Sequence, residues 1–195
     1  MILYGASGHA KVIIDICEIN KEKNLRIIDD NKEVTSLLSY PVTQIEYIKI
    51  TKEKFIISIG NNKTRKKIVN KLQSDFGIAI HPNTIIDKTV TIGSGTVVMA
   101  GSVINSSTKI GKHCIINTSS SIDHDCIIDD FVHISPNATL CGGVVIGEGS
   151  HIGAGAIIIP SVKIGKWSTI GAGTVVIKDV PDGKTVVGNP SRTIK

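Results

Sequence analysis

The chain has 195 residues, 41% of them hydrophobic and 4% aromatic, with a formal net charge of +5 at pH 7. Nucleic-acid binding usually shows a stronger basic stripe and more stacking aromatics, so the charge suits a small anionic ligand better, or simply a solvated surface. No apolar stretch is long enough to span a membrane, and no secretory signal is visible. We therefore expect no membrane insertion and a cytoplasmic location.

The first 79 residues alternate predicted strands and helices. In chain order these are a strand at 2–4, a helix at 11–19, strands at 25–28 and 55–59, and a basic helix containing Lys63, Arg65, Lys66 and Lys67. The helix at 11–19 is expected to have its apolar positions at Val12, Ile13, Ile16 and Ile19. Alternating strands and helices predict a parallel, Rossmann-like sheet. The segment 1–79 is long enough to bury a small core of its own.

The turn after the first strand reads Gly5-Ala6-Ser7-Gly8-His9-Ala10. Free backbone N–H groups and a following helix N-terminus make such a turn a potential anion site. The pair Asp29-Asp30 closes the next strand, where dinucleotide-binding folds place a ribose-binding carboxylate. The glycine spacing is G-x-x-G-x-A rather than G-x-G-x-x-G. The pattern alone therefore leaves both a nucleotide site and a plain tight turn open.

From residue 80 onward, a large aliphatic side chain recurs at every sixth position. The seventeen positions are Ile80, Ile86, Ile92, Val98, Ile104, Ile110, Ile116, Ile122, Ile128, Ile134, Leu140, Ile146, Ile152, Ile158, Ile164, Ile170 and Val176. A small or β-branched residue follows each by four positions, Cys114 and Cys126 among them. The hexapeptide period is typical of a parallel β-helix, which we predict at 80–195. The four cysteines lack metal-ligand spacing, so we expect reduced thiols.

Three hexads make one triangular coil of 18 residues, so residues 18 apart should stack about 4.8 Å from one another. By this arithmetic His133 and His151 lie on one wall of the prism. Gly142 lies directly above His124, and Gly143 lies above the following residue. The coil arithmetic therefore predicts an open, glycine-lined shelf beside the His124 imidazole.

His124 is the candidate general base, because it is flanked by Asp123 and Asp125. Imidazole titrates near neutral pH, and a nearby carboxylate can orient it and raise its basicity. Exposed amides of the glycine shelf could polarise a carbonyl oxygen. The alternative is that His124 is an ordinary polar residue on a coil edge.

A zinc site is a further alternative for the histidines. Three histidines that converge between subunits bind zinc in the carbonic-anhydrase-like β-helices. Here the spacings are 11 residues from His113 to His124 and 9 residues from His124 to His133, and no pair lies five apart as in that branch. We therefore expect no metal, and we interpret His113 and His151 as ordinary polar surface residues.

Several motifs, in this order, resemble one family. They are Tyr4-Gly5-Ala6-Ser7-Gly8-His9, Asp29-Asp30, Ile59-Gly60-Asn61-Asn62, Asn117-Thr118-Ser119-Ser120, Ile122-Asp123-His124-Asp125-Cys126, His133-Ile134-Ser135 and Val187-Gly188-Asn189-Pro190. Over nearly the whole chain they resemble the sugar O-/N-acetyltransferase family of left-handed β-helix enzymes. That family includes the UDP-4-amino-sugar N-acetyltransferase of bacillosamine synthesis and sialic acid O-acetyltransferases. The resemblance, and not the residue spacing, implies the left-handed coil.

The resemblance also implies the site residues. Nucleotide-sugar contacts fall on Ser7, Gly8, His9, Asp29, Asp30 and Gly60. Acetyl-CoA contacts fall on His133, Ala154 and Ala172, with the backbone near Gly142 or the His133 side chain stabilising an oxyanion. The catalytic histidine falls on His124 and its supporting acid on Asp125. Because the bacillosamine enzyme has glutamate at the latter position, Asp123 could share the role.

The reaction that the resemblance implies is direct acetyl transfer from the co-substrate acetyl-CoA to the 4-amino group of a UDP-linked amino-deoxy sugar. A homotrimer with active sites between subunits is implied as well. O-acetylation of sialic acid or a related sugar, a non-enzymatic nucleotide-sugar sensor and a metal hydratase are the alternatives. Sugar specificity is expected in the loops at 32–54, which carry no recognisable motif.

Overall fold

The computed structural model describes residues 1–45, 53–72 and 74–195. Residues 46–52, part of the segment in which we expect sugar specificity, lie outside the described residues. The first part of the chain contains β1 (Ile2–Tyr4), α1 (Gly8–Ile19), β2 (Arg26–Ile28), β3 (Ser36–Leu37), β4 (Tyr40–Thr43), β5 (Phe55–Ile57) and α2 (Asn62–Lys71).

The second part consists of two- and three-residue strands at six-residue intervals, with a short closing hairpin. They are β6 (Ala79–Ile80), β7 (Ile85–Ile86), β8 (Thr91–Ile92), β9 (Val97–Val98), β10 (Val103–Ile104), β11 (Lys109–Ile110), β12 (Ile115–Ile116), β13 (Ser121–Ile122), β14 (Ile127–Ile128), β15 (His133–Ile134), β16 (Thr139–Leu140), β17 (Val145–Ile146), β18 (His151–Ile152), β19 (Ile157–Ile158), β20 (Lys163–Ile164), β21 (Thr169–Ile170), β22 (Val175–Val176), β23 (Thr185–Val187) and β24 (Arg192–Thr193).

The first domain is built on a five-stranded sheet with the strand order β3-β4-β2-β1-β5. Strand β1 pairs in parallel with both β2 and β5, and only the β3–β4 pair is antiparallel. The parallel, Rossmann-like sheet is therefore confirmed. The chain leaves β1 toward β2 on one side, while β5 lies on the other side of β1. Ligands of open α/β sheets bind at such a switch point, beyond the carboxyl ends of the strands.

Helix α1 packs between the sheet and the solenoid. It begins at Gly8, three residues before the predicted start, and its buried side chains include Ile13, Ile14 and Cys17. Val12 and Ile19, which we expected to be core positions, are 39% and 46% exposed. The buried stripe is shifted because the helix meets two surfaces, and its hydrophobic cluster includes Val97, Met99 and Ile115 of the solenoid.

The solenoid is a triangular prism with three parallel sheets as its faces. In chain order each coil contributes one strand to the first face (β6 to β21 in steps of three, then β23), one to the second (β7 to β22) and one to the third (β8 to β20). Paired residues are 18 apart, as in Ile116 with Ile134. The predicted hexad aliphatics fill the interior, and Cys114 and Cys126 are fully buried beside them. The 18-residue coil is thus confirmed.

The outward side chains of the first face change from apolar to polar along the prism axis. They are stacked in register in the order Ala79, Val97, Ile115, His133, His151 and Thr169. The apolar members of this column are buried under the first domain. Where that cover ends, the column continues as two histidines and a threonine. The register therefore places His133 and His151 at the seam between the two domains.

Candidate active site

His124 and Asp125 form an exposed pair at a corner of the prism, between β13 of the second face and β14 of the third. The His124 Nδ1 atom lies 2.7 Å from Asp125 Oδ2, and the two side chains are 57% and 65% exposed. Because a carboxylate only accepts hydrogen bonds, Nδ1 carries the hydrogen and Nε2 keeps its lone pair. The pair therefore has the arrangement of a general base with an orienting acid.

Asp123 has a different task from Asp125. Its Oδ1 atom accepts hydrogen bonds from the His124 backbone N–H at 2.9 Å and from Asn105 Nδ2 at 2.9 Å. The hydrogen bond with Asp125 raises the pKa of His124, and the charge of Asp123 raises it further. The geometry thus pairs Asp125 with the ring, while Asp123 fixes the backbone beneath it.

The predicted shelf above His124 is present. A Cβ atom placed on Gly142 would lie 2.6 Å from Cε1 and Nε2 of His124, closer than carbon atoms approach. Gly143 donates its backbone N–H to the His124 carbonyl at 2.9 Å, so this amide is not exposed as we had predicted for both glycines. A larger side chain at 142 would therefore cover Nε2 or displace the ring, whereas glycine leaves Nε2 open.

Replacing Asp125 by asparagine should move the acid limb of the kcat/KM profile to lower pH. The base acts unprotonated, and the Asp125 carboxylate stabilises the imidazolium, so the limb lies above the ordinary histidine value of about 6.5 in the natural chain. Removing the charge lowers the His124 pKa and also weakens the base. The Asp123→Asn variant should shift the limb less, because Asp123 contributes less to the raised pKa. If Asp125→Asn does not change the pKa of the acid limb, the pairing of His124 with Asp125 is excluded.

The predicted nucleotide-sugar residues lie together at the carboxyl edge of the first sheet. Ser7 precedes α1 as its N-cap, yet its hydroxyl makes no capping hydrogen bond. The Asp29 carboxylate accepts the Ala6 and Asn31 backbone N–H groups at 2.7 and 2.8 Å. Asp30 accepts the Tyr4 hydroxyl at 2.7 Å. Asp29 thus shapes the glycine turn, and Asp30 is the carboxylate better placed to meet a ligand.

A cleft of about 620 Å³ opens where this edge meets the first face of the solenoid. We call it the His133 cleft. It is lined by residues 60–63 of the first domain and by His133, Gly149, His151, Trp167 and Thr169 of the solenoid. His133 and His151 stack with their ring centroids 4.8 Å apart. The predicted substrate residue Gly60 and the predicted acetyl-CoA residue His133 are therefore neighbours.

His133 is held as a neutral imidazole. Burial, followed by the charges of His151, Arg65 and His9, lowers its pKa to about 3. Asn117 Nδ2 lies 3.1 Å from Nε2, and the Gly60 backbone is a further hydrogen-bond partner of the ring. His9 is also neutral, since burial and then Arg65 lower its pKa to about 4. A contact of His133 with acetyl-CoA would use its ring face or exchange one of these bonds.

Ala154 and Ala172 are exposed at the corner between the first and second faces, one coil apart. The Gly173 N–H donates to the Ala154 carbonyl at 2.8 Å, so the two positions stack as predicted. The small side chains leave a shallow track beside the His133 cleft, along the prism axis. That track is suited to an extended chain such as a pantetheine arm.

The structure separates the predicted residues into two groups. The nucleotide-sugar residues, His133, Ala154 and Ala172 belong to the first face and its borders. His124, Asp125 and Gly142 belong to the corner between the second and third faces, which is the corner opposite the first face. A single chain therefore does not bring the candidate base to the His133 cleft.

Three features of the cleft were not predicted. Arg65 and Asn62 are buried in the seam, whereas the sequence showed only a basic helix. His151 lines the cleft, although we had interpreted it as ordinary; its position 18 residues after His133 was the available signal. His113, which we had interpreted as a surface residue, is instead buried, because its ring packs between Phe76 and Phe131.

Within residues 1–45, 53–72 and 74–195, no group of three or more histidine, cysteine, aspartate or glutamate side chains is arranged to hold a metal ion. In the same part of the chain, no helix has the length and apolar character needed to cross a membrane.

Comparisons with known proteins identify both domains. Residues 1–72 match the family described as PglD N-terminal domain, and residues 143–178 match the bacterial transferase hexapeptide family. The UDP-N-acetylbacillosamine N-acetyltransferase of Bacillus subtilis is 41% identical over 109 residues, which is 50% of this chain and 50% of that protein. The match thus spans about half the length of this curated relative.

Solved structures match over the whole chain. The acetyltransferase domain of PglB from Neisseria gonorrhoeae, in complex with acetyl coenzyme A, has a TM-score of 0.94 and 34% identity over 99% of this chain and 98% of that one. PerB from Caulobacter crescentus, in complex with CoA and GDP-perosamine, has a TM-score of 0.91 and 33% identity over 100% and 96%. The chain therefore belongs to the left-handed β-helix, hexapeptide-repeat family of sugar acetyltransferases.

Proposed function

We propose that the protein transfers the acetyl group of acetyl-CoA to the 4-amino group of a UDP-linked amino-deoxy sugar, in the cytoplasm. The observation that carries the proposal is the His124–Asp125 pair, whose Nε2 faces the open shelf at Gly142. The solved relatives support the donor and the acceptor class, since one was crystallised with acetyl coenzyme A and another with CoA and GDP-perosamine.

The proposed reaction is a direct transfer. His124 Nε2 accepts a proton as the amine nitrogen attacks the thioester carbon. The carbonyl oxygen becomes an oxyanion. The backbone near Gly142, which lies beside the base, would stabilise this charge. The C–S bond then breaks, and the imidazolium protonates the departing thiolate. The products are the acetamido sugar and free CoA, and His124 returns to its neutral form.

The first domain would bind the nucleotide. The N-terminus of α1, with Ser7, Gly8 and His9, offers backbone N–H groups to a diphosphate. Asp30 lies at the end of the neighbouring strand, where a ribose or base hydroxyl or N–H can donate to it. From there the sugar would extend past Gly60 into the His133 cleft. This path follows the switch point between β1 and β5.

The complete site would need two copies of the chain. His124 lies opposite the first face, so the base must come from a neighbouring copy whose corner reaches the His133 cleft. A closed ring of such heterologous contacts gives a cyclic oligomer. We propose a homotrimer, in which acetyl-CoA lies between the His124 corner of one copy and the Ala154–Ala172 track of the next.

An acceptor panel tests the function. Thiol release from acetyl-CoA is measured with UDP- and GDP-linked 4-amino sugars, with CMP-linked and free sialic acids, and without acceptor. We expect release with the UDP-amino sugars and a product whose acetyl group resists hydroxylamine, as an amide does and an ester does not. Release with sialic acids alone would replace the proposal by O-acetylation. Nucleotide-sugar binding without any thiol release would favour a sensor.

A further inference from the structure

Arg65 carries a positive charge in the seam between the domains and is 1% exposed. Burial lowers its pKa only to about 10, so it stays protonated at neutral pH. Its hydrogen-bond partners among the described residues are uncharged: Nε donates to His113 O at 2.8 Å, Nη1 to Ile59 O at 3.0 Å and Gly60 O at 3.1 Å, and Nη2 to Asn62 Oδ1 at 2.8 Å and Phe131 O at 2.9 Å.

Asn62 extends this network by one coil. Its Nδ2 atom donates to the carbonyls of Gly149 at 3.0 Å and Ser150 at 3.2 Å. The accepting residues His113, Phe131 and Gly149 are 18 apart and lie on one corner of the prism. The two side chains of α2 therefore contact three successive coils, while Arg65 also binds the two carbonyls that follow β5.

Stability alone does not account for this arrangement. Burying an unpaired charge is costly, and an apolar side chain of similar size is often at least as stabilising. What a guanidinium adds is a rigid fork of donors with fixed directions. Here the fork joins the backbone at 59–60 directly to the solenoid, beside the His133 cleft.

We propose that Arg65 and Asn62 are positioning residues. They fix the position of the 59–61 loop along the solenoid axis, and so align the bound acceptor with the first face at His133. The inference rests on the proposed function. Displacing a bound substrate by about 1 Å can cost 100-fold in rate, so a rigid seam at this loop has a direct kinetic consequence. The charge of Arg65 also contributes to keeping His9 and His133 neutral.

The test compares Arg65→Lys, Arg65→Met and Asn62→Ala with a control, Lys66→Ala. Lys66 lies on the same helix and pairs with Glu148 across the same seam, without a bond to the 59–61 loop. The acceptor in each assay is the UDP-linked 4-amino sugar, and hydrogen–deuterium exchange reports the 59–61 backbone. We expect the Arg65 variants to raise the acceptor KM roughly tenfold or more and to accelerate exchange at 59–61. The acetyl-CoA KM should stay within about twofold, and Asn62→Ala should follow the same pattern more weakly.

Equal acceptor KM values and equal exchange at 59–61 in Arg65→Lys, Asn62→Ala and Lys66→Ala would overturn the proposal. So would a common rise of both KM values with a lowered melting temperature, which indicates a purely structural role. If Arg65→Met does not fold, the comparison of Arg65→Lys and Asn62→Ala with Lys66→Ala still tests the proposal. If the natural chain transfers acetyl to no nucleotide sugar, the proposed function fails, and exchange at 59–61 alone decides whether Arg65 fixes the loop.

Discussion

Replacing His124 by alanine should lower the turnover number about 100- to 10,000-fold, which is the usual contribution of a general base. The acetyl-CoA KM should change little, because the imidazole transfers protons in the chemical step and is not needed to bind the co-substrate. The side chain is mostly exposed at its corner, so the melting temperature should stay that of the natural chain. The measurement is steady-state thiol release at saturating acetyl-CoA and acceptor.

Lys88→Ala is the matched control for this variant. Lys88 occupies the same corner two coils earlier, and it is exposed. Its loss should leave turnover unchanged, which separates the chemistry of His124 from any general effect of truncating this corner. Turnover of His124→Ala within about threefold of the natural chain would remove the residue from the mechanism.

The hexad period predicted most of the solenoid, because a fixed repeat determines which residues stack. From that arithmetic alone Gly142 could be placed above His124, and His133 beside His151, and the structure has both contacts. The coil arithmetic could not decide whether His124 pairs with Asp125, as the resemblance implied, or with Asp123. Both carboxylates are next to His124 in the sequence, and the backbone conformation at the corner determines which of them reaches the ring.

The seam between the domains was much less predictable. Arg65 looks like its lysine neighbours in the sequence, and its partners are backbone carbonyls, which leave no pattern of residue types. Val12 and Ile19 were wrongly predicted to face the core for a related reason. Helix α1 packs against two surfaces, and the helical period of the sequence does not show how those surfaces lie relative to each other. Part of the segment at 32–54 lies outside the described residues, and its role in sugar choice stays a prediction.

The proposed division of the site between two copies leads to the prediction with the second-largest expected effect. A His124→Ala copy keeps its cleft but lacks the base. A Gly60→Tyr copy keeps the base but should fill its own cleft, since a Cβ atom at Gly60 meets open space and the residue lines that cleft. Each variant alone should be nearly inactive. In mixed oligomers, the intact corner of one copy can serve the intact cleft of another.

The most direct test of this arrangement is the activity of mixed oligomers, made by co-expressing the two variants with different affinity tags and purifying on both tags. If each site takes its base from one copy and its cleft from the next, every trimer that carries both tags has one complete site, which is about one site in three. We therefore predict roughly a third of the natural activity per chain, against almost none for two differently tagged His124→Ala copies. Mixed oligomers as inactive as their parents would contradict the shared site and place the base and the acceptor on a single chain.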